Sequence, residues 1–235
     1  MSTPELKERA AQHAVAAELK SGMCVGLGSG STAACAVNAL GKALQDGTLQ
    51  AIIGVPTSEA TARQAVALGI PLRELHEVEG LDVTIDGADE VDPALNLIKG
   101  LGGALTREKM VAQATTGRYV VVADESKVVT GLGQHAPLPV EVLPFGWRFQ
   151  AQRLARFGAV PRLRMADGAP FLTDNGNHIL DCTFPDGIDD PQLLEWLLIA
   201  LAGIVEHGLF LDIATVAYIA TPDGVQRLGD GPGLE

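Results

Sequence analysis

Two stretches of the sequence carry side chains whose types and spacing suit proton transfer. Asp86-Gly87-Ala88-Asp89-Glu90-Val91-Asp92 sets several carboxylates directly after the strand-like run Leu81 to Ile85. Lys99-Gly100-Leu101-Gly102-Gly103 follows, and then Glu108-Lys109. Carboxylates at a sharp turn, facing a cation, are what acid–base chemistry on a small anionic substrate requires. Asp86 falls at the tip of a strand, at the edge where parallel α/β sheets bind ligands. Glu108 falls in the first turn of the next helix, where the helix dipole favours the ionised form and suits a resting general base. Lys99 sets an ammonium beside an amide-rich loop, and Lys127, after Asp124-Glu125-Ser126, adds a cation at the same sheet edge. The bland alternatives are ordinary: Asp and Gly make solvated turns, Glu108-Lys109 suits an exposed helix start, and Lys127 suits an exposed loop. The acidic spacing does not match an EF-hand loop.

A third stretch, Gly26-Leu27-Gly28-Ser29-Gly30-Ser31-Thr32, lies between a strand and a helix. Glycines there allow successive N–H groups to converge at the positive end of the helix, and the hydroxyls of Ser29, Ser31 and Thr32 can add hydrogen bonds to a phosphate. A tight turn with a serine cap would use the same residues. Gly28-x-Gly30-x-x-Ala33 also fits a dinucleotide fingerprint, but that motif needs an acid roughly 20 positions on, at the end of the second strand. Here that strand ends Gly54-Val55-Pro56-Thr57. No Gly-Lys-Ser/Thr closes the loop as a nucleotide P-loop. The five histidines (His13, His76, His135, His178 and His207) show no metal-ligand spacing. Neither a metal nor another cofactor is expected.

The elements that position these residues alternate. A helix begins at Thr3-Pro4, with Thr3 as its cap. Strands follow at 23–27, 51–55, 83–86 and 119–123, with an alanine-rich helix from after Thr32 to about Asp46 and helices at 59–68 and 106–114 between them. Such alternation means a parallel sheet covered on both faces. After Gly131 prolines and turns such as Asp167-Gly168 and Asn175-Gly176 break the pattern, and a helix runs from Pro191 to about Ala202. The final strands, 216–220 and 225–228, read as parallel-sheet strands again. The expected organisation is one α/β domain formed by 1–132 plus 208–235, with a smaller α+β domain at 133–207 and a binding cleft between them.

Composition excludes several classes. The 235 residues are 47% hydrophobic, enough for a substantial core, and carry a formal charge of −12, which argues against nucleic acid or an anionic membrane as partner. The N-terminus lacks an apolar signal core, and the greasiest segment, Leu193 to Val205, is too short to span a bilayer and contains Glu195. Cys24, Cys35 and Cys182 read as buried thiols of a reducing compartment. A soluble cytoplasmic protein is expected.

Together, Gly28-Ser-Gly-Ser-Thr32, Asp86 to Asp92, Lys99 to Lys109 and Asp124-Glu-Ser-Lys127 closely resemble type A ribose-5-phosphate isomerases, as do Val205 to Phe210 and Asp223-Gly-Val225. The resemblance spans nearly the whole chain in order. It implies a Rossmann-like domain with a smaller lid before the C-terminal strands, assembled as a dimer or tetramer. It also implies interconversion of aldose and ketose phosphates through an enediolate, without metal or nicotinamide. Glu108 would move the proton between C2 and C1, Asp86 and Asp89 would handle hydroxyl protons, and Lys99 would steady charge developing on oxygen. Ser29, Gly30, Ser31 and Thr32, Gly87 and Ala88, Gly100, Leu101 and Gly102, and Lys127 would contact the substrate. Leu101 stands where such proteins usually have glycine, and leucine would cost about 1 kcal/mol or more if that position needs a positive φ. The rival reading is a non-catalytic sugar-phosphate sensor, which would not need Asp86, Asp89, Lys99 and Glu108 together. A nicotinamide oxidoreductase comes third.

Overall fold

The computed structural model describes residues 2–229. In chain order come α1 (Thr3–Glu18), β1 (Cys24–Leu27), α2 (Ser31–Gln45), β2 (Ile53–Pro56), α3 (Glu59–Ala67) and β3 (Leu81–Gly87). The short β4 (Glu90–Val91) and β5 (Leu97–Ile98) precede α4 (Leu105–Gln113) and β6 (Thr115–Asp124). Then follow β7 (Leu138–Val142), α5 (Trp147–Ala155), β8 (Val160–Leu163), β9 (Met165–Ala166), β10 (Ala169–Pro170), β11 (His178–Thr183) and α6 (Pro191–Ile199). The last strands are β12 (Ile204–His207), β13 (Leu209–Phe210), β14 (Val216–Thr221) and β15 (Gly224–Leu228). These elements form two units, one from the described residues of 1–88, 107–127 and 213–235, the other from 89–106 and 128–212.

The first unit is built on a sheet of order β15-β14-β6-β3-β1-β2. Its strands are parallel except for β15. Val25, Leu27, Val83, Ile85, Val120 and Val122 pack against Ala10, Ala14, Ala36, Val37 and Leu40 of α1 and α2. Val55 and Leu81 pack with Val111 of α4 in a separate cluster. Burial on both faces explains why the strands read as continuous apolar runs. The sequence reading sets both final strands in the parallel sheet. β15 instead runs antiparallel to β14, because only Pro222 and Asp223 separate them and so short a link cannot make a parallel crossover. Helix α1 starts a residue earlier than expected, with Ser2 as its cap and the Ser2 N–H donating to Glu5 Oε2 at 2.7 Å. Of the three free cysteines only Cys182 is fully buried.

The second unit holds the antiparallel sheet β12-β7-β11-β8. Leu154 of α5 and Leu194 and Leu198 of α6 join Leu138, Val140, Leu180 and Cys182 in its core. Asp167 and Gly168, both at positive φ, turn β9 back onto β10. The sequence reading leaves 89–106 in the first domain. That segment belongs here, because β4 pairs with β5 and β5 with β13.

Candidate active site

Within the first unit, β1, β2, β3 and β6 present their carboxyl ends at one sheet edge. Asp86, near the end of β3, is fully buried. Its Oδ1 accepts from the N–H of Ser29 at 3.1 Å and of Gly87 at 2.7 Å, and its Oδ2 accepts from the Tyr119 hydroxyl at 3.2 Å. Gly28 makes this seat possible, because a Cβ there would lie 2.2 Å from Asp86 Oδ1 and 2.6 Å from its Cα. Gly87 and Ala88 are half-buried beside it. The Tyr119 phenol sits well above its ordinary pKa, first because it is buried and then because Asp86 and Glu108 bring negative charge near it. It is therefore a neutral donor.

The glycine-rich loop continues into α2. Gly30 has φ +90° and caps the helix without a side chain, so the first-turn N–H groups meet no capping oxygen. Ser31 is exposed and its Oγ accepts from Lys7 Nζ at 2.9 Å, while Thr32 is buried. Ser29 behaves differently. Its Oγ lies 2.7 Å from Thr57 Oγ1, 2.8 Å from Ser58 Oγ and 3.2 Å from Thr61 Oγ1. Thr57 and Thr61 donate to the carbonyls of Leu27 and Gly28, and Ser58 donates to Thr61. The Ser29 proton is thus engaged inside a hydroxyl cluster that ties the tips of β1 and β2 together.

Glu108 and Lys109, at the start of α4, are both buried rather than exposed. Lys127 ends a 3-10 turn at 125–127. Asp124 organises that turn, its Oδ1 accepting from the N–H and the hydroxyl of Ser126, while its buried Oδ2 meets no hydrogen-bond partner among the described residues.

The second unit carries Asp89 and the loop 99–103. Lys99 is buried, with its N–H donating to Gly208 O at 2.9 Å and its ammonium 5.4 Å from the centre of the Phe210 ring. The Leu101 N–H donates to Asp89 Oδ2 at 2.9 Å. Gly100 and Gly103 take positive φ, at +101° and +86°. Leu101 does not, so leucine is unstrained at this position. Gly102 is exposed.

Sequence reasoning missed four contributors: Tyr119, Lys7, the trio Thr57, Ser58 and Thr61, and Arg164, which grips the loop 99–103 from strands later in the chain. Thr57 and Ser58, just past β2, and Lys7, within α1, carry no local sequence signal for these contacts. Among the described residues, no group of three or more His, Cys, Asp or Glu is placed to hold a metal ion. No helix among them is long and apolar enough to cross a membrane. A neutral phenol on a buried carboxylate, a second buried carboxylate at a helix start and a buried lysine are chemically suited to moving protons and steadying charge.

Residues 53–224 match the family described as Ribose 5-phosphate isomerase A (phosphoriboisomerase A). The ribose-5-phosphate isomerase A of Roseiflexus sp. (strain RS-1) is 52% identical over 223 residues, which is 94% of each chain. A solved D-ribose-5-phosphate isomerase in complex with phospho-erythronic acid is 42% identical, with a TM-score of 0.94 over 98% of this chain and 100% of that one. The ribose 5-phosphate isomerase A of Methanocaldococcus jannaschii is 39% identical, with a TM-score of 0.91 over 97% of this chain and 100% of that one. The chain belongs to the ribose 5-phosphate isomerase A family.

Proposed function

We propose that the protein interconverts D-ribose 5-phosphate and D-ribulose 5-phosphate. Glu108 takes the proton from C2 of the open aldose, and the electron pair left behind forms an enediolate. The same carboxyl returns the proton to C1, which completes the ketose. Asp86 and Asp89 carry hydroxyl protons during ring opening and isomerisation, and Lys99 steadies the negative charge on oxygen. First-turn N–H groups of α2 from Gly30 onward, with Ser31, Thr32 and Lys127, receive the phosphate. Gly87, Ala88 and the backbone of Gly100, Leu101 and Gly102 contact the sugar. Ser29 contributes by holding Asp86 rather than through its own hydroxyl, which already has protein partners. This chemistry calls on no metal or nicotinamide.

One observation carries most weight: a single unit buries Asp86, with donors on both its oxygens, together with Glu108 at a helix start. Their differing surroundings suit two roles, a carboxylate held in place and a base. Purified protein given ribose 5-phosphate, with EDTA present and no nicotinamide, is expected to form ketose. Phospho-erythronic acid, whose carboxylate shares the shape and charge of one end of an enediolate, is expected to compete with substrate. Absence of ketose formation would reject the reading.

The same resemblance supports a cytoplasmic homo-oligomer, dimer or tetramer. Exposed apolar side chains on the second unit, Phe145, Phe149, Trp196 and Ile199, favour assembly. Sedimentation of the purified chain as a monomer would reject it.

A further inference from the structure

Arg164 stands just after β8, within the second unit. Its Nε donates to Asp181 Oδ2 at 2.9 Å and its Nη2 to the other oxygen of the same carboxylate, a bidentate pair. That leaves Nη1 for two successive carbonyls, Gly100 O at 3.1 Å and Leu101 O at 2.9 Å. The Phe171 ring lies 5.7 Å from the guanidinium carbon and blocks the space where a Gly103 Cβ would stand, 2.6 Å away. The guanidinium is thus fixed on one side by a carboxylate and on another by a ring.

Each peptide group is planar, and the chain has no cis bonds among the described residues, so a C=O and the following N–H point opposite ways. Holding the Gly100 and Leu101 carbonyls on Arg164 therefore turns the N–H groups of Leu101 and Gly102 away from it. The first reaches Asp89 Oδ2. The second meets no protein acceptor among the described residues, and a Cβ built on Gly102 meets no atom within 4 Å. A backbone donor beside open space, next in line to one bound to Asp89, is set to receive a ligand oxygen.

We propose that Arg164 is a positioning residue of the isomerase site, aiming the Gly102 N–H at an oxygen of the sugar phosphate and, through the Leu101 N–H, fixing Asp89. This rests on the reading of loop 99–102 as substrate-binding. Lysine cannot hold a carboxylate bidentately and two carbonyls at once, because its ammonium is a point charge without the planar fork.

The test compares wild type, Arg164→Lys and Arg164→Ala by amide hydrogen exchange at Leu101 and by steady-state kinetics. In Arg164→Lys the Leu101 amide is expected to exchange about tenfold faster or more. Its kcat/KM is expected to fall about 100-fold, with a near wild-type thermal midpoint. Methylguanidinium is expected to restore part of the activity of Arg164→Ala. Unchanged exchange, or activity lost only in proportion to the unfolded fraction, would overturn the proposal. Faster exchange with wild-type kcat and KM would overturn it too, since the loop would then lie outside the site. If the wild-type chain converts no ribose 5-phosphate, the isomerase reading falls, while the exchange data still decide whether Arg164 orders the loop.

Discussion

In the loop Gly28–Thr32, glycine is needed next to β1 because the Asp86 carboxylate sits where a Cβ would be. In the loop Lys99–Gly103, glycine is needed at 100 and 103 because the backbone turns through positive φ. The first loop is braced by its sheet neighbours: Asp86 on one side, the Thr57, Ser58 and Thr61 hydroxyls on the other. The second is braced by Asp89, which accepts from the Leu101 N–H, and by Arg164, which is itself held by Asp181 and Phe171. Two glycine-rich loops are thus held by different means. Close approach to Asp86 at Gly28, with positive φ at Gly30, dictates the first, and positive φ at Gly100 and Gly103 together with a guanidinium distant in sequence dictates the second.

The comparison breaks most sharply at Gly28. Gly28→Ala forces a methyl into Asp86 and its backbone, and kcat/KM should fall by about 100-fold or more with a stability loss of about 1–3 kcal/mol. Kinetics and thermal denaturation of that variant measure both. Gly103→Ala should cost a similar 1–3 kcal/mol or so, from positive φ and from the Phe171 ring together. Adding Phe171→Ala should recover only the steric share, so a double-mutant cycle showing no coupling would mean the ring does not constrain the loop.

A smaller effect separates the braces by pH. Burial holds the folded-state pKa of Tyr119 well above the ordinary value of 10. The unfolded chain therefore loses that proton first, so stability is intact below pH 10 and declines as pH rises above it, by about 1.4 kcal/mol per pH unit for this group. Tyr119→Phe should remove that share of the alkaline slope in denaturant titrations. An unaltered slope would show that the phenol is not held neutral. The smallest effect is expected at Leu101. Since its φ is not positive, Leu101→Gly relieves no strain, and it should lower stability by about 0.4–1 kcal/mol through a freer unfolded chain. A gain in stability would contradict this.

Much of the fold was legible because its causes are local. Alternating apolar runs and alanine-rich helices give the parallel sheet, and Asp86 after Val83-Thr84-Ile85 marks a strand tip by position alone. The antiparallel β15 was also within reach, since a two-residue link permits nothing else. What stayed hidden depends on pairing between distant segments. The membership of 89–106 in the second unit follows from β5 pairing with β13 more than a hundred residues later. Arg164 bonds to Leu101, 63 residues away, and neither its type nor its neighbours in sequence signal that contact. Ser29 shows a subtler limit. A hydroxyl in a glycine-rich turn suits a phosphate equally well on paper, and only the cluster at Thr57, Ser58 and Thr61 shows where its proton goes.

Turnover of Glu108→Gln tests most directly whether Glu108 moves the proton, since glutamine keeps the size and removes the basic oxygen. A fall in kcat of about 10²–10⁴-fold is expected, with phospho-erythronic acid still bound and an unchanged circular dichroism spectrum. Near wild-type turnover would contradict the assignment of the base and the mechanism built on it.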